Sequence, residues 1–140
     1  MSETIRFFFN GQEVEAQAGE TIWQVAKRVG TDIPHLCHRD AHSYRPDGNC
    51  RACVVEVKGE RVLAASCCRN PVKGMEVTTD SERAVKSQKM VLELLLSDMP
   101  EKRHTLKSEL DQWAAKLNVG KPRFEARHQP QADLSHHAIA

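Results

Sequence analysis

Aromatic side chains are scarce. Phe, Trp and Tyr together make up 5% of the 140 residues, and there is a single tyrosine. A platform on which successive bases stack is therefore excluded. Neither sign of charge is in excess. A net charge of +1 and a pI near 7.7 exclude a general nucleic-acid binder, which carries a basic surplus. No apolar run approaches the length of a membrane span, and the mean hydropathy is −0.54. Nothing at the N-terminus has the form of a signal peptide. The expectation is a soluble, cytoplasmic chain in a reducing compartment, where structural disulfides are disfavoured. No Ser-His-Asp set, paired-carboxylate site or phosphate loop stands out, and no segment repeats. The chain is expected not to be catalytic alone. Its length suits one domain with a small appendage.

What the chain does have is cysteine in a pattern. Cys37, Cys50, Cys53 and Cys67 read C-x12-C-x2-C-x13-C, and Cys68 follows directly. Buried core thiols fall at apolar positions of strands and helices. Cys37, Cys50 and Cys53 instead lie among Gly, Pro, Asp, Asn, His and Arg, a loop composition. Thiols converging from two loops point to a tetrathiolate metal site, and an iron–sulfur cluster is the main reading. Zinc is the rival, in a zinc-stabilised interaction or scaffold module without redox activity. A four-cysteine zinc site usually carries two close pairs, and only one is present here. A Rieske centre would need a histidine two residues after Cys37, where Arg39 stands. On spacing alone, Cys67 and Cys68 compete for the fourth place. The Cys50–Cys53 step is expected to serve one iron, and Cys37 with Cys67 the other. Gly48 is expected to let the backbone approach the inorganic sulfides. Arg45 and Arg51 are read either as offsetting cluster charge or as solvated. His35, His38 and His42 are read as solvated loop residues.

The flanking segments predict small regular elements. Ile5, Phe7 and Phe9 alternate, and Asn10-Gly11 is a hairpin turn leading to Val14 and Ala16. Thr21 and Gln24 form a capping box for a helix with Ile22, Val25, Ala26 and Val29 on one stripe, ending at Gly30. Val54–Val57 and Arg61–Ala65 read as a second hairpin, and Met75–Thr79 as a last strand. Thr79 and Glu82 repeat the capping pattern before a helix from Asp80 to about Ser97, whose second half is apolar nearly all round. A third helix over Thr105–Leu117 carries Leu106, Leu110, Trp113 and Leu117 on one stripe. Part of this apolar surface is expected either to meet another protein or to be absorbed by packing of the two helices. The fold class is α+β: a β-grasp domain over residues 3–79, a helical extension over 80–118, and a poorly ordered tail over 119–140.

The runs Ile33–Cys37, Tyr44–Val57, Ala64–Cys67 and Gly74-Met75 resemble the N-terminal [2Fe–2S] domain of NAD-linked formate dehydrogenase alpha subunits. They are similar, more distantly, to the large iron–sulfur subunit of respiratory complex I and to iron-only hydrogenases. The resemblance covers about residues 4–98. It implies a ferredoxin-like β-grasp fold with Cys37, Cys50, Cys53 and Cys67 as ligands, Cys67 fitting the family's interval to Met75. It implies single-electron transfer between a molybdenum or tungsten pterin centre's iron–sulfur chain and a flavin subunit that reduces NAD. The implied partners are a molybdopterin-containing formate dehydrogenase subunit and a flavin-bearing NADH-dehydrogenase-type subunit. No cysteine follows Cys68, so the further [4Fe–4S] motifs of those proteins are absent from this chain. Strand alternation at Cys67-Cys68 predicts thiols on opposite sides, which also favours Cys67.

Overall fold

The computed structural model describes residues 4–100 and 108–126. The chain opens with strands β1 (Thr4–Phe9) and β2 (Gln12–Gln17), paired antiparallel with Phe7 opposite Val14. Asn10 and Gly11 join them at φ 49° and 81°, the left-handed pair that a two-residue hairpin needs. Phe7, Phe9 and Ala16 are buried, while Phe8 lies on the outer face. Helix α1 (Ile22–Arg28) follows, and both arms of the Thr21–Gln24 capping box are formed. Ile22, Val25 and Ala26 face the core as the stripe predicts. Val29 does not. It is the C-cap residue and stays exposed, and Trp23 is buried instead.

Residues 29–53 cross over without a helix or strand and deliver the chain to β3 (Val54–Val57). The returning strand is shorter than the sequence suggests. Of the predicted Arg61–Ala65 segment, only Ala64–Ala65 (β4) pairs with β3. The Arg61 and Leu63 carbonyls accept from the guanidinium groups of Arg83 and Arg51 instead of from a ladder. Strand β5 (Glu76–Thr78) then inserts between β1, to which it is parallel, and β3, to which it is antiparallel. The sheet order is β2-β1-β5-β3-β4. Phe7, Phe9, Val55, Val57 and Val77 meet Ile22, Trp23, Val25 and Ala26 in one core.

Helix α2 (Glu82–Ser97) starts two residues later than the capping pattern suggests. Ser81 is its N-cap, its hydroxyl accepting from the Ala84 amide at 3.2 Å. Thr79 is committed elsewhere. Its amide donates to Asn10 Oδ1 and its hydroxyl accepts from Asn10 Nδ2, both at 2.8 Å, which locks the hairpin turn to the end of β5. The apolar half of α2 is not buried all round: Leu92 is in the interior, but Leu94 and Leu95 are 48% and 41% exposed.

Gln88 of α2 is buried and donates from Nε2 to the Val54 carbonyl at 2.9 Å. Strand β5 stops opposite Glu56, so this side chain supplies a donor at the next position of β3. Gln88→Leu is expected to destabilise by about 1–3 kcal/mol, the cost of an unsatisfied buried carbonyl. The midpoint of denaturant unfolding checks this.

Helix α3 (Glu109–Lys116) is capped by Ser108 and packs on α2, and Ala114 is its buried residue. Thr105 and Leu106 of the predicted helix, and residues 127–140 of the predicted tail, lie outside the described residues. Beyond α3, Arg123 forks onto Glu93 of α2 with two contacts of 2.8 Å, and its amide adds a third at 2.9 Å. These donors hold the Glu93 carboxyl down at about 2, below its ordinary 4.5. A carboxyl lowered on folding contributes stability that is complete above 4.5 and lost as pH falls toward 2. The Arg123 turn is expected to stay docked at neutral pH and release across that acid window, which a pH titration of the Arg123 Nε–H resonance reads.

Candidate metal centre

Each of the four patterned cysteines is placed by a different local device. Ile33 is buried and anchors the approach to Cys37, and His35 Nδ1 lies 3.0 Å from the Ile33 carbonyl. Cys50 and Cys53 are separated by Arg51 at φ 57°, a left-handed step that is unusual for a residue with a Cβ. Arg51 is held there by its guanidinium bond to the Leu63 carbonyl at 3.1 Å. Cys53 enters β3, where its carbonyl accepts from both the amide and the hydroxyl of Ser66, at 3.1 and 2.6 Å. Cys67 sits in the turn after β4. That turn is tied to α1, because the Ile22 and Trp23 amides donate to the Arg69 and Ser66 carbonyls at 2.8 and 3.0 Å. The first-turn donors of a helix have no partner within it, so the cysteine turn completes the helix end and is fixed by it.

The thiols gather as two pairs. The Cys50 amide points at Cys37 Sγ at 3.4 Å, and the Ala52 amide points at Cys50 Sγ at 3.5 Å. Cys53 and Cys67, both fully buried, form the second pair. The Cys67 thiol donates toward Cys53, and amides of Cys67 and Ser66 and the Ser66 hydroxyl help against the burial cost, so Cys53 falls to about 6. Cys67 is pushed up by the same contact, by burial and by the nearby Cys53 charge. Burial also pushes Cys37 up, opposed by the Cys50 amide. The second pair is thus a buried sulfur–sulfur contact in which Cys53 is the more acidic thiol. Among the described residues, no three His, Cys, Asp or Glu side chains converge on a point that could hold a single ion. A mononuclear zinc site would gather all four. Two amide-braced pairs suit a two-iron centre, in which each iron takes two thiolates. The pairing differs from the expectation that Cys50 and Cys53 act together, since the chain turns between them at Arg51.

Cys68 departs from strand alternation. Strand β4 ends at Ala65, and Ser66–Cys68 form a turn in which the Cys68 and Arg69 amides both donate to the Ala65 carbonyl at 3.1 Å. Cys68 Sγ therefore lies 3.6 Å from Cys67 Sγ instead of on the opposite side, and its residue is exposed.

Gly48 makes a close approach within the chain itself. Its φ is +65°, and a Cβ there would sit 3.0 Å from Cys68 Sγ and 3.4 Å from Ala65 Cβ. The close approach is to the Cys67–Cys68 turn. Gly48→Ala is expected to cost about 1–2 kcal/mol for the left-handed backbone, plus a steric part that Cys68→Ala relieves. A double-mutant cycle on unfolding midpoints separates the two.

The loop histidines are not all solvated. His38 is buried, its ring 4.7 Å edge-to-face from Trp23, and neither ring nitrogen has a hydrogen-bond partner among the described residues. Burial pushes its pKa down, so it is neutral at pH 7. His35 stands between Trp23 and Trp113, at 4.7 and 5.4 Å. His42 is exposed. Sequence periodicity carries no sign of this aromatic cluster, because its members lie on α1, the loop and α3. Arg45 pairs with Asp47 at 3.3 Å in a solvated position, and Arg51 is spent on Leu63.

A five-stranded mixed sheet crossed by one helix, with two thiol pairs at the loops beside it, defines an iron–sulfur protein of the β-grasp ferredoxin class. Residues 2–82 match the family described as the 2Fe-2S iron-sulfur cluster binding domain, and the chain belongs to that family; its cofactor is a [2Fe–2S] cluster. Among curated proteins it is similar to an NADH-quinone oxidoreductase subunit from Rickettsia prowazekii, 34% identical over 96 residues, 69% of this chain and 14% of that one. It is also similar to the NADP-reducing hydrogenase subunit HndD of Solidesulfovibrio fructosivorans, 40% identical over 94 residues, 65% of this chain and 16% of that one. The chain thus spans only a small part of these relatives. A solved NAD+-reducing [NiFe]-hydrogenase in its H2-reduced state superposes with a TM-score of 0.78 at 27% identity, over 95% of this chain and 57% of that one. Among the described residues, no helix is long and apolar enough to cross a membrane.

Proposed function

We propose that Cys37, Cys50, Cys53 and Cys67 hold the [2Fe–2S] cluster, Cys37 and Cys50 on one iron and Cys53 and Cys67 on the other. The domain then works as an electron-transfer module inside a larger nicotinamide-linked oxidoreductase. The observation that carries this is the gathering of the four thiols as two pairs, one braced by the Cys50 and Ala52 amides and the other fully buried. The bound cluster supplies one-electron reduction and oxidation. The chain's own contribution is a set of fixed thiolates, amide donors that stabilise their charge, and a core that excludes water from Cys53 and Cys67. The relatives' names link this domain to NADH- and NADP-dependent complexes. The resemblance of residues 33–37, 44–57 and 64–67 supports the finer reading of an NAD-linked molybdenum or tungsten formate dehydrogenase in the cytoplasm. In it, single electrons pass between a pterin-bearing subunit and a flavin subunit.

Absorption and electron paramagnetic resonance of anaerobically purified protein test the first part. The expected result is a reddish-brown protein with a potential of about −400 mV, the plant-type value for an all-thiolate centre. A colourless protein with one stoichiometric zinc would sink it. Co-purification from the native host tests the finer part. A flavin subunit and a molybdopterin subunit with formate activity support it, and a hydrogenase or quinone-reductase partner replaces it.

A further inference from the structure

We propose that α3 is a clamp that positions Cys37, acting through Trp113. This rests on the assignment of Cys37 as a ligand. The helix grips the loop that carries Cys37 at three points along its length. At its start, Glu109 faces Arg39 at 3.6 Å. At its end, Lys116 pairs with Asp32 at 2.7 Å. Between them the Trp113 ring meets His35 at 5.4 Å and 66°, and His35 in turn meets Trp23 of the core at 4.7 Å. The contacts on 32, 35 and 39 bracket residue 37.

The clamp has a fixed back. Helix α3 packs on α2, and the Glu93–Arg123 fork fastens the turn beyond α3 to the same helix. Force on the loop is therefore referred to α2 and the sheet. The ion pairs at the two ends are exposed and contribute little, since solvent screens such pairs. The aromatic contact dominates: Trp113 is half-buried, its face covered by Lys116 Nζ at 4.7 Å, and it makes an edge-to-face contact with the histidine. The α3 helix lies outside the residues matched by the family, so the clamp is an addition to the β-grasp unit.

The second thiol pair needs no such device. Cys53 and Cys67 are held by strand pairing and by the α1 amides. Cys37 lies in a long loop without ladder bonds, and its residue is only partly covered. Trp113 is a positioning residue: it acts on Cys37 through His35.

The test compares the full chain with Trp113→Ala and Trp113→Phe. In Trp113→Ala the cluster should assemble to wild-type content but be lost to a chelator several-fold faster, up to about tenfold, the fold-change one edge-to-face contact supplies. Trp113→Phe should restore most of the lifetime. In cluster-free protein, mass-spectrometric alkylation should show Cys37 modified several-fold faster in Trp113→Ala, with Cys53 unchanged. Unchanged chelation and alkylation rates would overturn the clamp. So would an equal rise at Cys37 and Cys53, because that reports general loosening. The alkylation arm does not depend on a cluster. Failure of the wild-type chain to bind iron would sink the ligand assignment instead.

Discussion

Cys67→Ser is expected to yield protein that purifies with almost no cluster, while Cys68→Ser keeps the wild-type absorption and paramagnetic spectrum. The reason is the environment of each sulfur. Cys67 is fully buried and its thiol donates toward Cys53, whose pKa is lowered by that contact and then by the Cys67 and Ser66 amides. Replacing that thiol by a hydroxyl removes a soft donor and breaks the pair. Cys68 is exposed. The two sulfurs are nevertheless only 3.6 Å apart, so a small turn of the backbone brings Cys68 into the vacated place. A faint, altered spectrum in Cys67→Ser would therefore come from Cys68, and the double change Cys67→Ser/Cys68→Ser should abolish it. Gly48, whose missing Cβ leaves room beside Cys68 Sγ, gives that turn space to shift. Cluster loss confined to Cys68→Ser would reverse the assignment.

Features fixed by neighbouring residues were legible in the sequence. Asn10-Gly11 specifies its own left-handed turn, and Thr21 with Gln24 completes its capping box from four consecutive residues. The cysteine spacing, together with the runs around it, led to the family and the cofactor. Features decided by distant residues were not legible. Thr79 has the composition of an N-cap, but Asn10, far away in the chain, occupies its hydroxyl and leaves the role to Ser81. Strand β4 is cut short because Arg83 and Arg51 take carbonyls that an isolated hairpin would pair. The C-x2-C spacing suggests a shared iron, whereas the positive φ at Arg51 turns Cys50 toward Cys37. Helical periodicity identified Trp113 as part of an apolar stripe but could not show that it bears on the cysteine loop.

Trp23→Ala is expected to destabilise the cluster-free protein by about 3–5 kcal/mol, the range for removing a buried aromatic ring from a core. Trp23 is nearly fully buried, and its ring forms the wall against which both His35 and His38 pack at 4.7 Å. Lys27 lies over the ring, with Nζ 5.5 Å from its centroid. Truncation leaves a cavity beneath the loop and exposes a neutral histidine that has no hydrogen-bond partner of its own among the described residues. The backbone role of the residue survives, because its amide still reaches the Ser66 carbonyl and the Ile22 amide still reaches Arg69. Damage should therefore be one-sided. Amide exchange should accelerate first across residues 31–39, on the Cys37 side, while the Ser66–Arg69 turn keeps its protection. Trp23→Phe should retain more than half of the lost stability by keeping a ring against the two histidines. Equal loss of protection at both cysteine loops would show that Trp23 supports the whole core, and that the separate anchoring of the two thiol pairs is wrong.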